Sequence, residues 1–259
     1  MRILALETTG KYGSAAVIND DGAVFSASSA NEMNHLTDII NISDKALHEA
    51  GISKTDLTHV AASVGPGSFT GIRIGVTTAR TLGQALGIPC IGVSSLYAMG
   101  ERVLGKAISS GALYVVSIIN ARRHQVYAGA WEAVFTSDYE HQTLIEVMEE
   151  KQYMIEDLLS ELRTKCSASG GRAFFTGDGI DAYEDIIRDT LSRDMYILAD
   201  EDLRYQHAET VAVIAARYAS QGKVTSYDDL LPEYMRLSEA EQRLKEGTLS
   251  EKIRRSVVK

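Results

Sequence analysis

The sequence predicts an α/β protein of two lobes, each a mixed sheet with helices on its faces. Three observations carry that expectation. The first hundred or so residues follow the order β-β-β-α-β-α-β-α, an antiparallel run that gives way to strand–helix alternation. A second hairpin pattern begins near residue 112 and leads into further helices and strands. A stretch with four glycines in eleven residues, GPGSFTGIRIG at 65–75, joins a buried strand directly to a helix.

Residues 2–7 (RILALE) are a short apolar run closed by Thr8, Thr9 and Gly10, the pattern of a buried strand and its turn. Runs 13–19 and 23–29 flank Asp20-Asp21-Gly22. Asp-Gly between strand-like runs is a hairpin signal, so the first three strands form an antiparallel meander. The period then lengthens. Leu36, Ile39, Ile40, Ser43, Leu47 and Ala50 mark one face of a helix over 35–50, with Asn34 as its N-cap and Gly51 as its stop. Residues 58–64 return to a buried strand, 71–86 to a helix ended by Gly87, and 89–93 to a short strand. Ser94 and Ser95 then open a helix through about residue 104.

In the second half, 112–119 and 124–131 are strands around a turn at Asn120-Ala121-Arg122-Arg123. A helix over 154–165, a strand over 172–176, the turn Gly177-Asp178-Gly179 and a helix over 180–191 follow. Helix 207–221 carries Val211, Ile214, Ala215 and Tyr218 on one stripe. The expected organisation is a first lobe over 1–106, a smaller second lobe over 107–206, helix 207–221 packing back on the first, and a charged tail over 239–259 that reads as solvated.

Composition narrows the function. The 259 residues are 45% hydrophobic and 24% charged, ample for a globular core. The N-terminal apolar stretch is too short for a signal peptide, and no run approaches the ~18 apolar residues of a membrane span, so a cytoplasmic protein without membrane contact is expected. Cys90 and Cys166, far apart, read as buried thiols. A net charge of −9 without a basic stripe argues that any nucleic acid is held mainly by something else.

The glycine-rich stretch admits two readings. Gly65 and Gly67 around Pro66 allow a tight turn, Ser68 or Thr70 can cap the helix after it, and such a loop at a helix N-terminus can cradle an anion. The plainer reading is a structural turn in which Gly71 and Gly75 let another element approach closely. No Lys-Ser or Lys-Thr follows the glycines, as a P-loop requires, and the dinucleotide fingerprint is not matched. No G-x-S-x-G elbow for a serine hydrolase occurs either.

Gly65-Pro66-Gly67-Ser68-Phe69-Thr70 and the GIRIG that follows resemble the hallmark of the TsaB (YeaZ) family. The likeness continues in LALETTG at 4–10, the His-led helix at Asn34-His35-Leu36, ALGIPCIGVSSL at 85–96, FFTGDGIDAY at 174–183 and LPEYMRLSEAE at 231–241. Three positions depart from it. Glu7 stands where Asp is usual, and the amides Asn120 and Gln125 replace carboxylates.

The resemblance implies an actin/Hsp70-like (ASKHA) two-lobed fold with a mixed five-stranded sheet in each lobe. It implies a non-catalytic scaffold that binds and activates the homologous catalytic subunit TsaD together with the ATPase TsaE. That complex transfers a threonylcarbamoyl group to N6 of adenosine 37 in tRNAs reading A-starting codons. ATP would act through the complex, with no intrinsic cofactor; tRNA would be met only within it, and the lone chain would form a homodimer. Partner contacts would come from the two helices of the first lobe, through His35, Leu36, Ile39, Ile40, Ser43, Gly71, Ile72, Arg73, Gly75, Val76, Ala79 and Arg80. On that basis Val76→Glu is expected to weaken pairing and leave the fold intact.

The catalytic relative holds a metal with His-x-x-x-His at a helix start; Ser95 and Met99 occupy those positions here, a poor pair for a hard divalent ion. No two of the six histidines are three or four apart. No metal or catalytic residue is therefore expected. Remnants of a nucleotide site would be Glu7, Thr8 and Lys11, each more simply a turn residue. The competing expectation is an independent ATPase or phosphotransferase of the same fold.

Overall fold

The computed structural model describes residues 1–29, 35–135 and 142–235, with residues 35–37 as backbone only. Asn34, His141, the charged tail and the side chains of His35 and Leu36 lie outside the described residues.

The first sheet is ordered β3-β2-β1-β4-β5, from Ile3–Glu7 (β1), Ser14–Ile18 (β2), Val24–Ser28 (β3), His59–Gly65 (β4) and Cys90–Ser94 (β5). The meander β1-β2-β3 is antiparallel, and β4 and β5 join it in parallel. Both faces are covered, which is why β1 reads as continuous apolar sequence rather than an alternation. Leu4 and Leu6 pack with helices α1 (His35–Glu49) and α2 (Phe69–Leu86). Ile3 and Ala5 pack with α6 (Ala208–Ser220) on the other side.

The second sheet repeats the plan. Strands Tyr114–Arg122 (β6), Gln125–Phe135 (β7), Gln142–Met154 (β8), Ala173–Thr176 (β9) and Tyr196–Leu198 (β10) are ordered β10-β9-β6-β7-β8. Read from the first strand of each lobe, the two orders are the same, with an antiparallel meander and two parallel strands. Helices α4 (Ile155–Ser169) and α5 (Gly179–Thr190) complete the lobe. Between the sheets runs α3 (Ser95–Ser109). Its Leu96, Met99 and Val103 enter the second lobe's core, while Ala98 meets the first lobe's. This is the two-lobed, actin-like arrangement with two mixed five-stranded sheets that the sequence led us to expect.

The differences have identifiable causes. Strand β8 has no counterpart in the sequence reading, because its register against β7 slips at Ala128/Ala130 and Ala130/Trp131, which breaks any period-2 pattern. Strand β10 has three residues, too few to show a period. The hairpin turns later than expected. Strand β6 continues through Arg122, and the reversal falls at Arg123-His124, with φ of 65°, 54° and 59° at Arg122, Arg123 and His124. That left-handed turn is usually made by Asn-Gly, so its residues carry no turn signature. Helix α3 runs to Ser109, past the lobe boundary drawn at 106/107.

Candidate functional site

The glycine-rich loop lies between β4 and α2, and its glycines serve close approach to the turn after β1. A Cβ on Gly71 would stand 1.9 Å from the carbonyl oxygen of Thr8, and one on Gly67 2.5 Å from that of Thr9. Thr8 Oγ1 donates to the Gly71 carbonyl at 2.7 Å, and the Ser68 amide donates to the Thr9 carbonyl at 2.8 Å. Ser68 is the cap of α2: its Oγ accepts from the Gly71 amide at 3.3 Å. Of the two readings the loop admitted, the packing one holds. Two carbonyl oxygens of the β1 turn lie against Gly67 and Gly71, and the Ser68 amide is already committed to one of them.

Behind that turn is a buried polar centre. Glu7 is fully enclosed at the end of β1. Its Oε1 accepts from the Thr9 amide (2.5 Å) and Oγ1 (2.6 Å), and its Oε2 from Ser63 Oγ. Thr9 Oγ1 lies 3.0 Å from Ser95 Oγ at the start of α3. Burial pushes the Glu7 carboxyl up; hydrogen bonds from Ser63 and Thr9 pull the other way. Thr8 is also fully buried, whereas the Lys11 ammonium is 5.3 Å from the Tyr12 ring centroid and 5.7 Å from that of Tyr205. The three residues named as nucleotide remnants are therefore not gathered on one open surface. Ser95 and Met99 are buried, the latter in the second lobe's core. The Gly177-Asp178-Gly179 turn packs under β6: Asp178 Oδ1 accepts from the Asn120 amide at 2.9 Å. No group of three or more His, Cys, Asp or Glu suited to a metal occurs among the described residues.

The helix surface differs from expectation. Ile39, Ser43, Gly71, Ile72, Gly75, Val76 and Ala79 face the protein's own interior and are buried within the single chain. The apolar face of α2 that was assigned to a partner is the face packed on the sheet beside α1. Solvent is met instead by Ile40 on α1, and by Arg73, Thr77, Thr81 and Gln84 on α2. Arg80 is half-buried, 3.7 Å from Asp228. A cavity of about 350 Å³ lies here, lined by Thr77, Arg80, Thr81, Gln84, Tyr227 and Asp228. At the other end of α2, the Arg73 guanidinium stacks 3.9 Å from the Phe69 ring centroid and its Nε donates to Tyr234 Oη at 2.9 Å. The polar stripe Arg73, Thr77, Arg80/Thr81, Gln84 follows helical spacing and was legible in the sequence. Tyr227, Asp228 and Tyr234 were not, since only the returning chain brings them to α2.

The seam between lobes is polar. Ser94 Oγ, capping α3, donates to Glu150 on β8. Arg217 on α6 pairs with Glu101 on α3 at 2.9 Å, and the Tyr97 hydroxyl donates to the same carboxylate at 2.6 Å. Burial, followed by the nearby Glu233 and Glu146, pushes Glu150 up to about 7 from 4.5, against the pull of the Ser94 hydroxyl. With the folded value above the unfolded one, the contribution to stability is fully present below about pH 4.5 and is lost as pH rises through about 7. Glu150→Gln is expected to flatten the fall in melting temperature across that window and to stabilise the protein at alkaline pH by on the order of 2 kcal/mol. Parallel melting curves for the two proteins would show an ionised Glu150 to cost nothing.

Comparison with known proteins agrees with this picture. The family model described as "TsaD: tRNA N6-adenosine threonylcarbamoyltransferase" matches residues 28–244. The tRNA threonylcarbamoyladenosine biosynthesis protein TsaB of Bacillus subtilis is 28% identical over 241 residues, covering 93% of this chain and 96% of its own. The Escherichia coli protein of the same name is 28% identical over 244 residues, covering 94% and 98%. The solved structure of YeaZ from Pseudomonas aeruginosa superposes with a TM-score of 0.70 at 23% identity, covering 90% of this chain and 99% of its own, a likeness of fold. Two lobes of one topology, joined through α3 around a buried carboxylate at the end of β1, define an actin-like protein. The chain belongs to the TsaD threonylcarbamoyltransferase family and, within it, to the TsaB (YeaZ) group.

Proposed function

We propose that this protein is a non-catalytic scaffold in tRNA threonylcarbamoyladenosine biosynthesis, pairing with the catalytic TsaD and activating it together with TsaE. The observation that carries the reading is the state of Ser95 and Met99. They stand where the catalytic relative is expected to hold its metal, yet Ser95 Oγ lies against Thr9 Oγ1 and Met99 fills the core. A buried hydroxyl in such a network and a packed thioether are poor ligands for a hard cation. Glu7, the carboxylate nearest to them along the network, is itself enclosed and hydrogen-bonded.

The partner surface is the outward side of α1 and α2, with exposed Ile40, Arg73 and the cavity beside Arg80, rather than the apolar face first assigned. The same surface serves a homodimer when the chain is alone. ATP and tRNA engage the assembled complex in the cytoplasm; the acidic net charge supports leaving RNA to the partners. No described helix is long and apolar enough to cross a membrane.

The test is reconstitution with TsaD, TsaE, tRNA, ATP and threonylcarbamoyl-AMP, with modified adenosine counted by mass spectrometry and each component omitted in turn. Product should require both this chain and TsaD, and this chain alone should make none. Full product without this chain would overturn the scaffold reading, and ATP turnover by the isolated chain would favour an independent ATPase or phosphotransferase.

A further inference from the structure

At the far edge of the second sheet, β10 borders a cavity of about 380 Å³. Four arginines line it: Arg172 before β9, Arg188 at the end of α5, Arg193 before β10 and Arg204 after it. In a chain of net charge −9 this is a local concentration of cations. Two of them are committed. Arg188 pairs with Glu184 and reaches Tyr196 Oη at 3.4 Å; Arg204 pairs with Asp181 and donates to the Ala199 carbonyl at 2.9 Å.

The other two have no carboxylate partner among the described residues. Arg193 is exposed, its guanidinium 5.3 Å from the Tyr196 ring centroid. Arg172 reaches only the Ser110 carbonyl, at 3.4 Å, and its Nε is enclosed without any partner. Tyr196 Oη accepts from Arg188, which leaves its own proton to donate. The free guanidinium fork of Arg193, the terminal donors that Arg172 keeps beyond its Ser110 contact, and a phenol match one phosphate dianion, the group that planar, multi-donor cations recognise best.

The cavity is bipolar. Asp200 and Glu201, exposed carboxylates in no ion pair among the described residues, also line it. They would repel a second phosphate, which disfavours the backbone of a polynucleotide. They are suited to accept hydrogen bonds from hydroxyls, as carboxylates do for ribose. The volume is that of a small-molecule site. We propose that this cavity binds a small phosphorylated ribose, a sugar phosphate or a nucleotide, with the phosphate held by Arg172, Arg193 and Tyr196 and the hydroxyls turned to Asp200 and Glu201. The site is independent of the surface assigned to partners.

The test is calorimetric titration of the full chain, at constant ionic strength, with ribose 5-phosphate, AMP, inorganic phosphate and ribose. Ribose 5-phosphate should bind about tenfold more tightly than inorganic phosphate, and ribose not at all. AMP binding more tightly still would identify a nucleotide as the ligand; AMP binding more weakly would identify a sugar phosphate. Arg193→Gln, a change at an exposed side chain, should weaken ribose 5-phosphate about tenfold. Asp200→Asn should narrow its advantage over inorganic phosphate. No heat from either organic phosphate up to about 10 mM, equal affinity for ribose 5-phosphate and inorganic phosphate, or binding unchanged in Arg193→Gln would overturn the proposal.

Discussion

Gly71→Ala is expected to lower the melting temperature by about 2–8 °C, measured by circular dichroism. The added methyl would stand 1.9 Å from the Thr8 carbonyl, a backbone atom that moves only if the β1 turn moves. Relief separates α2 from that turn and endangers two hydrogen bonds, Thr8 Oγ1 to Gly71 O and Ser68 N to Thr9 O. Overpacking of this kind costs about 1–3 kcal/mol, occasionally more, and outweighs the ~1 kcal/mol that alanine gains over glycine inside a helix. Gly105→Ala isolates that gain. Gly105 is in α3, exposed, and the nearest atom to a methyl added there is Gln142 Oε1 at 3.8 Å, so this variant should melt slightly higher than the parent. Equal and positive shifts for both variants would mean that the loop does not seat on Thr8.

Val76→Glu is expected to unfold much of the protein rather than to disrupt pairing selectively. Val76 is 2% exposed and packs in the first lobe's core with Ile72 and Ala79. A carboxylate there lacks water and partners, at a cost on the order of 4 kcal/mol or more, a large part of the stability of an ordinary domain. Ile40→Glu is the informative change. Ile40 is 51% exposed on α1, so the fold should tolerate glutamate within about 0.5 kcal/mol. Association with TsaD, followed by analytical size exclusion, should weaken at least about tenfold if this surface is docked. An Ile40→Glu protein that melts normally and still pairs at full strength would remove α1 from the interface. A Val76→Glu protein that melts normally would contradict the packing of α2.

Much of the architecture was legible because it rests on local chemistry. Asp-Gly at 21–22 announced the first hairpin, the three-and-four spacing from Ile39 to Leu47 announced α1, and glycine at 87 announced the end of α2, where it adopts φ 66°. The glycine-rich stretch was recognisable as an unusual junction, and its likeness to one family extended over nearly the whole chain. The sequence by itself determined the fold class, the family and the absence of a helical ligand pair at Ser95 and Met99.

What a residue faces was decided only by the tertiary structure. Gly71, Ile72, Gly75 and Val76 form a stripe that fits a partner or the protein's own sheet equally well, because periodicity reports a buried face and not the identity of what buries it. The sheet and α1 took that face, leaving the polar stripe through Arg73 and Thr77 outside. Likewise, Glu7, Ser63 and Ser95 are 56 and 32 residues apart in sequence and meet only because β1, β4 and α3 converge. Strand β8 was hidden for a related reason: its pairing bulges twice against β7, so its alternation exists in space and not along the chain. The arginines around β10 show the same limit, since Arg172 and Arg204 come to line one cavity only where β9 and β10 pair, and no local rule links residues that a sheet edge brings together.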